Sequence, residues 1–197
     1  MGIFGTYESG ERAEMAEFLT DLTTLRERAR QEIDKGPVTD AYGADLKRVI
    51  QVCNEALATE LVCVLRYKRH QFTATGLYSE VVVGEFKEHA ADEAEHADKL
   101  AHRIAQLGGE PDFNPEILAG RAHTTYHSGT DLVEMITEDL VAERVAIASY
   151  TEIIQWLGDQ DPTTRRVFEE LLADEEDHAD DLRNLMERLP RELRPSG

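Results

Sequence analysis

Apolar and small residues recur at the 3.6-residue spacing of an amphipathic helix in four long segments of the chain. The segments span about residues 41–75, 78–107, 130–157 and 162–189. The only β-branched run, YSEVVVGEF, opens the second segment and continues into its helical pattern. The pattern therefore predicts an all-α fold.

The breaks between these helices predict how they are connected. Gly76 separates the first two helices, and the run GDQDP separates the last two. Because both connections are short, each pair is predicted to form an antiparallel hairpin. Residues 109–129 join the hairpins and can span a helix of about 45 Å when extended, with a short helix predicted at NPEILAG. The sequence thus predicts a four-helix bundle with one long crossover.

Segments outside the bundle form the two ends of the chain. The bundle is predicted to cover residues 41–190, after an extension at residues 1–40. The extension predicts one further helix, capped near Ser9 and ended by Gly36, with a docking or subunit-contact role. Residues 191–197 are predicted to be a flexible tail.

Composition narrows the classes of function. The net charge is −19, from 21 basic and 40 acidic residues, which argues against nucleic acid as the principal ligand. No apolar run reaches the length of a membrane span, and the first residues lack the pattern of a secretory signal. Cys53 and Cys63 lie about 15 Å apart in one helix, too far for a disulfide, and no CxxC motif is present. We expect a cytoplasmic protein whose cysteines are buried hydrophobes or redox groups.

Charged residues interrupt the apolar stripe of each bundle helix at one level. The first and third helices each carry one glutamate there. The second and fourth each carry a Glu-x-x-His pair, whose spacing places both side chains on one helix face. The six residues are Glu60, Glu93, His96, Glu143, Glu175 and His178.

The depth of these residues in the bundle follows from counting along the helices. Each glutamate lies 15–17 residues from its hairpin turn, which corresponds to about 22–26 Å. A long crossover places the two turns at opposite ends of the bundle, so all six side chains are expected to meet near its middle. The two hairpins also repeat one another, which predicts a pseudo-twofold axis through the site.

Four buried carboxylates need neutralisation, and two divalent cations would balance their charge. Oxygen-rich ligation with one imidazole per ion suits iron or manganese better than a thiolate-rich zinc site. The sequence leaves two interpretations open for the tyrosines and the histidine near these six residues. Tyr67 and Tyr150 are core aromatics or hydrogen-bond a metal ligand, and Tyr67 is a candidate electron carrier. His89 is a buried histidine or an accessory iron ligand, whereas His123 and His127 belong to the crossover.

Three motifs resemble those of bacterioferritins. ELVCVLRY at residues 60–67 is similar to the family's first-helix motif. DEAEHAD, which begins at Asp92, is similar to its second-helix motif, and LADEEDHADDL to its fourth-helix motif. The resemblance covers about residues 45–189 and implies the ferritin-like fold.

The resemblance also implies roles for the six residues. Glu93 and Glu175 would bridge two iron ions per subunit, for which Mn or Zn could substitute. Glu60 with His96, and Glu143 with His178, would be the terminal ligands. The implied activity is that of a ferroxidase: oxidation of Fe(II) by O2 or H2O2, with storage of ferric mineral in a hollow homo-oligomer.

Departures from the bacterioferritin pattern predict a different assembly. Ala94 occupies the position of the family's haem methionine, so no haem is expected. PRELRPSG, after Leu189, is too short for the fifth helix of 24-subunit shells, and the crossover is longer than in bacterioferritins. Both features resemble Dps-type shells of twelve subunits, although ordinary Dps proteins place their iron site between subunits. A 12-mer is therefore expected over a 24-mer, with a bacterioferritin-like site inside each subunit.

Two other functions fit parts of the pattern. A rubrerythrin-type di-iron peroxidase or oxidase would carry a glutamate at position 140, where this chain has Leu140, and its rubredoxin cysteines are missing. A Dps-like DNA-protecting shell is disfavoured by the acidic extension. Either would lack the combination of storage and oxidation that the resemblance implies.

Overall fold

The computed structural model describes residues 20–190, and these residues contain helices and no strand. They divide into two compact units, with the boundary between Asp40 and Ala41. In chain order, the α-helices are α1 (Leu22–Gln31), α2 (Leu46–Thr73), α3 (Ser79–Gln106), α4 (Leu118–Arg121), α5 (Leu132–Leu157) and α6 (Pro162–Arg188). The predicted all-α fold is confirmed.

The first unit differs from its prediction at the start of its helix. Residues 20 and 21 are not helical, and α1 begins only after Asp21. The Asp21 carboxylate accepts hydrogen bonds from the backbone N–H groups of Thr23 and Thr24, each at 3.0 Å. Such an N-cap marks the start of a helix, so residues 20 and 21 interrupt the single helix that was predicted from Ser9 to Gly36. The predicted cap at Ser9 and the predicted tail lie outside the described residues.

The second unit is a bundle of four helices of 26–28 residues each, about 40 Å long. α2 packs mainly against α3, and α5 against α6, as two hairpins. Three of the helices start at aspartate caps: Asp45 accepts the N–H of Arg48, while Asp131 and Asp161 cap α5 and α6. No helix in the described part of the chain has both the length and the apolar character to cross a membrane.

Two apolar layers enclose the middle of the bundle. Residues buried in the first layer include Tyr67, Phe86, Ile136 and Leu182. The second layer lies beyond the charged level, farther along the helix axes. Its fully buried side chains include Leu57, Leu100, Leu157 and Phe168. The charged level between them is therefore shielded from water at both ends.

The crossover lies along α2 and is hydrogen-bonded to it. Asn54 donates to the carbonyl of Glu110 at 3.2 Å and accepts from the N–H of Asp112 at 2.8 Å. Farther along, the N–H of His123 donates to Thr59 Oγ1 at 2.9 Å. α4 is the short helix predicted within the crossover, although it starts later, at Leu118.

A buried polar cluster on α2 and α5 forms hydrogen bonds with the last part of the crossover. Asp139 on α5 accepts from Arg66 Nε and pairs with His70 Nδ1, each at 2.7 Å, and all three side chains are at most 1% exposed. Arg66 also donates to Thr124 Oγ1 at 3.2 Å, and His70 Nε2 contacts the carbonyl of His127 at 3.0 Å. We call Arg66, His70 and Asp139 the clamp.

Candidate metal centre

The structure brings the six charged residues predicted from sequence together in the middle of the bundle. α2 and α5 contribute one glutamate each, and α3 and α6 contribute one Glu-x-x-His pair each. None is more than 5% exposed: Glu60, Glu93, His96, Glu143, Glu175 and His178. Their role as metal ligands stays a prediction.

The six side chains form two overlapping groups of possible ligands. Within each group, the ligand atoms lie within 4.8 Å of one another. Both groups contain Glu93 and Glu175, and each adds one glutamate and one histidine of its own. The first group adds Glu60 and His96, and the second adds Glu143 and His178. Two shared carboxylates between two separate Glu/His pairs would suit two neighbouring metal ions.

The distances between these atoms suit metal coordination. His96 Nδ1 lies 3.3 Å from Glu175 Oε1 and 3.4 Å from Glu93 Oε2. It lies 3.6 Å from Glu60 Oε2. His178 Nδ1 lies 3.4 Å from Glu175 Oε2 and 3.9 Å from Glu93 Oε1. Ligands that each bind one ion at about 2.0–2.2 Å are separated by about 3–4.4 Å, so the spacing fits.

Several atoms that face this space are buried without a hydrogen-bond partner. They include both carboxylate oxygens of Glu93 and of Glu175, and Oε2 of Glu143. The Nδ1 atoms of His96 and His178 are also buried and also lack a hydrogen-bond partner. Because buried polar atoms in folded proteins are nearly always paired, these inward-facing groups fit cations as their partners.

Crowded negative charge changes the pKa values of the glutamates in the site. Burial, together with the charges of Glu93 and Glu175, raises the pKa values of Glu60 and Glu143 well above their usual range. Burial alone would raise the pKa of Glu175 as well, but the neighbouring imidazoles of the site lower it to about 2. Divalent cations would relieve this repulsion by replacing protons, as metal binding to carboxylates does in general.

Two tyrosines donate hydrogen bonds across the bundle to Glu60 and Glu143, the glutamates that each belong to only one ligand group. Tyr67 on α2 donates its hydroxyl hydrogen to Glu143 on α5, and Tyr150 on α5 donates to Glu60 on α2. Both tyrosines are fully buried. Burial and the nearby Glu143 raise the pKa of Tyr67, which keeps its proton in place as a donor. Both tyrosines therefore contact the site, while the predicted electron-carrying role of Tyr67 stays a prediction.

Two aspartates, which the sequence analysis missed, contact the histidines of the site. His96 Nε2 lies 3.0 Å from Asp174 Oδ2, and His178 Nε2 lies 3.4 Å from Asp92 Oδ2. A carboxylate on the outer ring nitrogen fixes the imidazole so that its other nitrogen faces the metal. The signal in the sequence was the aspartate directly before each glutamate, a repeated Asp-Glu-x-x-His.

Replacing Asp92 and Asp174 together with alanine should weaken metal binding at the centre by about 10–100-fold, because both imidazoles lose the group that orients them. Competition titration with Co(II) and a chelator measures the affinity. The matched control changes Asp98 and Asp177, exposed residues on the same two helices, to alanine. Equal affinities in the two variants would contradict the orienting role.

Cys53 and Cys63, and the histidines of the crossover, belong to neither ligand group. Cys53 and Cys63 are buried, and burial raises the pKa of Cys53 to about 12 and that of Cys63 well above its usual range. Thiols in this state are poor nucleophiles, which fits the reading as core residues. His123 and His127 lie in the crossover, partly exposed, and belong to neither ligand group.

Comparison with known proteins identifies the family. The model of the ferritin-like domain matches residues 50–192. The bacterioferritin of Brucella melitensis is 32% identical over 147 residues, which cover 73% of this chain and 86% of the relative. The DNA protection during starvation protein of Pyrococcus furiosus is 27% identical over 144 residues, which cover 72% and 78%.

A solved structure supports the same assignment. It is that of a dodecameric thioferritin, the bacterioferritin-related protein of Bacteroides fragilis, with a TM-score of 0.71 and 33% identity. The match covers 74% of this chain and 88% of that one. The predicted resemblance to bacterioferritins is confirmed. The chain belongs to the ferritin-like domain family, as a ferritin-like di-iron protein of the bacterioferritin and Dps type.

Proposed function

We propose that this protein binds two iron ions per subunit within its four-helix bundle, oxidises Fe(II), and stores the ferric product in a hollow homo-oligomer. The observation that carries the proposal is the pair of overlapping ligand groups that share Glu93 and Glu175. Membership of the ferritin-like family and similarity to a bacterioferritin support iron storage and ferroxidase activity in general.

In this proposal, each ion has one terminal glutamate and one histidine. Glu60 and His96 would hold one ion, Glu143 and His178 the other, and the two shared glutamates would bridge them. The four carboxylates balance the charge of two divalent ions, and the two neutral imidazoles add no charge. This ligand set suits iron or manganese, with zinc as a substitute. Bound iron would supply the electrons that reduce O2 or H2O2.

The other residues of the site position these ligands. Tyr67 and Tyr150 hold one oxygen of each terminal glutamate, which leaves the second oxygen for a metal ion. Asp92 and Asp174 hold the outer nitrogens of the histidines. The apolar layers on both sides restrict water, which strengthens the attraction between the carboxylates and a cation.

We also propose a shell of twelve subunits without haem. The Bacteroides fragilis relative is described as dodecameric, and this chain is similar to it over most of its length. Ala94, where bacterioferritins carry the haem methionine, is exposed on α3. The net charge of −19 disfavours a DNA-protecting shell, and a cytoplasmic location stays a prediction.

Anaerobic loading with Fe(II), followed by O2 or by H2O2, tests this function. We expect ultraviolet absorbance of ferric iron to rise after addition of an oxidant, and the relative rates identify the preferred one. Gel filtration should then show iron in large excess over the subunits, in a particle of about twelve chains. Oxidation in a dimer that retains no excess iron would instead favour a rubrerythrin-like oxidase or peroxidase.

A further inference from the structure

A buried histidine beside the centre has one ring nitrogen without a hydrogen-bond partner. His89 on α3 is 2% exposed, and its ring stacks on that of His178 with 4.1 Å between the centroids. Its Nδ1 atom lies 3.2 Å from the hydroxyl oxygen of Tyr67. Its Nε2 atom is buried and makes no hydrogen bond. An unpaired atom of this kind in a core calls for a partner.

The hydrogen bonds around Tyr67 determine which nitrogen of His89 carries the proton. Tyr67 donates its own hydrogen to Glu143, so its oxygen accepts from Nδ1–H of His89. The ring is 2% exposed and its Nε2 has no hydrogen-bond partner, and burial of this kind disfavours the charged form of an imidazole. In a neutral imidazole with a protonated Nδ1, Nε2 presents a lone pair. The unpaired nitrogen is therefore an acceptor.

Two carboxylates face the same space as this lone pair. Asp181 Oδ2 on α6 lies 4.0 Å from His89 Nε2, and ligand atoms of Glu85, His89 and Asp181 all lie within 4.8 Å of one another. Burial and the charges of Asp181 and Glu88 raise the pKa of Glu85, while Arg188 lowers it. Three acceptors thus lie close together with no hydrogen bond between them, an arrangement that a cation would stabilise.

We propose that Glu85, His89 and Asp181 form a third metal site, which binds a divalent first-row transition ion outside the two-ion centre. One imidazole and two carboxylates are ligands that such ions accept, and small rotations of the partly exposed acids bring them within about 2.0–2.2 Å of one ion. The site opens to solvent through Asp181, whose side chain is 54% exposed. It shares no ligand with the centre.

Equilibrium dialysis against Co(II), followed by metal analysis, tests this site. The test variant is Glu85→Gln with Asp181→Asn, which removes both carboxylates and leaves the six residues of the centre unchanged. We expect three Co(II) ions per subunit in the unaltered protein and two in the variant. The matched control, Glu80→Gln with Asp177→Asn, removes the same charge from exposed positions on the same helices and should retain three.

The difference in bound Co(II) between the unaltered protein and the test variant tests the third site independently of the proposed function. If the two-ion centre did not bind Co(II), the unaltered protein would bind one ion and the variant none, and the third site would still be supported. Equal binding by both proteins would overturn it. Should the variant fail to fold, anomalous diffraction from the unaltered protein with Co(II) decides: a peak bonded to His89 Nε2 supports the site, and no peak there refutes it.

Discussion

Replacing Glu93 and Glu175 together with glutamine is expected to slow Fe(II) oxidation by at least about 100-fold. Loss of a carboxylate that only orients a ligand already costs about 10–100-fold, and these two residues belong to both ligand groups. Stopped-flow ultraviolet absorbance, after anaerobic loading and mixing with O2 or H2O2, measures the rate.

The control for this variant removes equal charge from the same helices. Glu95 and Glu176 are exposed, and their replacement with glutamine should leave the oxidation rate unchanged. The test variant should also fold, because it removes two of four charges that repel one another in the core. Oxidation at the rate of the unaltered protein would refute the assignment of the bridging ligands.

Changing Asp139 to alanine should lower the free energy of unfolding of the metal-free protein by about 3–5 kcal/mol. The change leaves the Arg66 guanidinium buried without its carboxylate and removes the partner of His70 Nδ1. For a domain of this size, the loss corresponds to a decrease in Tm of roughly 6–20 °C. Far-ultraviolet circular dichroism during thermal or urea denaturation measures it.

The crossover should also become more mobile in this variant, because the clamp contacts Thr124 and the carbonyl of His127. Hydrogen exchange of the backbone in the crossover would report this. Glu138→Ala on the same helix is the control, and it should alter stability by no more than about 0.5 kcal/mol. Similar stabilities of the two variants would show that the clamp contributes little.

The helices and the level of the site could be predicted because both follow from local geometry. Apolar spacing located the four bundle helices, and the constant rise of a helix placed each glutamate at a similar distance from its turn. The i, i+3 spacing put Glu93 and His96 on one face before any tertiary contact was known. The start of α1 could not be predicted, because the helical pattern of the sequence continues through Asp21, whose side chain caps the helix.

Contacts between helices could not be predicted, because they depend on the axial register and rotation of one helix against another. Asp174 lies 78 residues from His96 in sequence, and Asp139 lies 73 residues from Arg66. The same holds for Asp181 and His89, which meet only because α6 packs beside α3. Apolar periodicity reports which face of a helix is buried, but not which side chains meet there.

The amino-acid sequence by itself determined the helices, their order and the presence of six charged residues at one depth, since each depends on residues close together in the chain. Only the tertiary structure decided which oxygen and nitrogen atoms face one another. It joined Tyr67 to Glu143, left Nε2 of His89 without a partner, and turned the carboxylates of Glu93 and Glu175 toward a common space. The physical reason is that side-chain orientation in a core is set by packing among several helices at once.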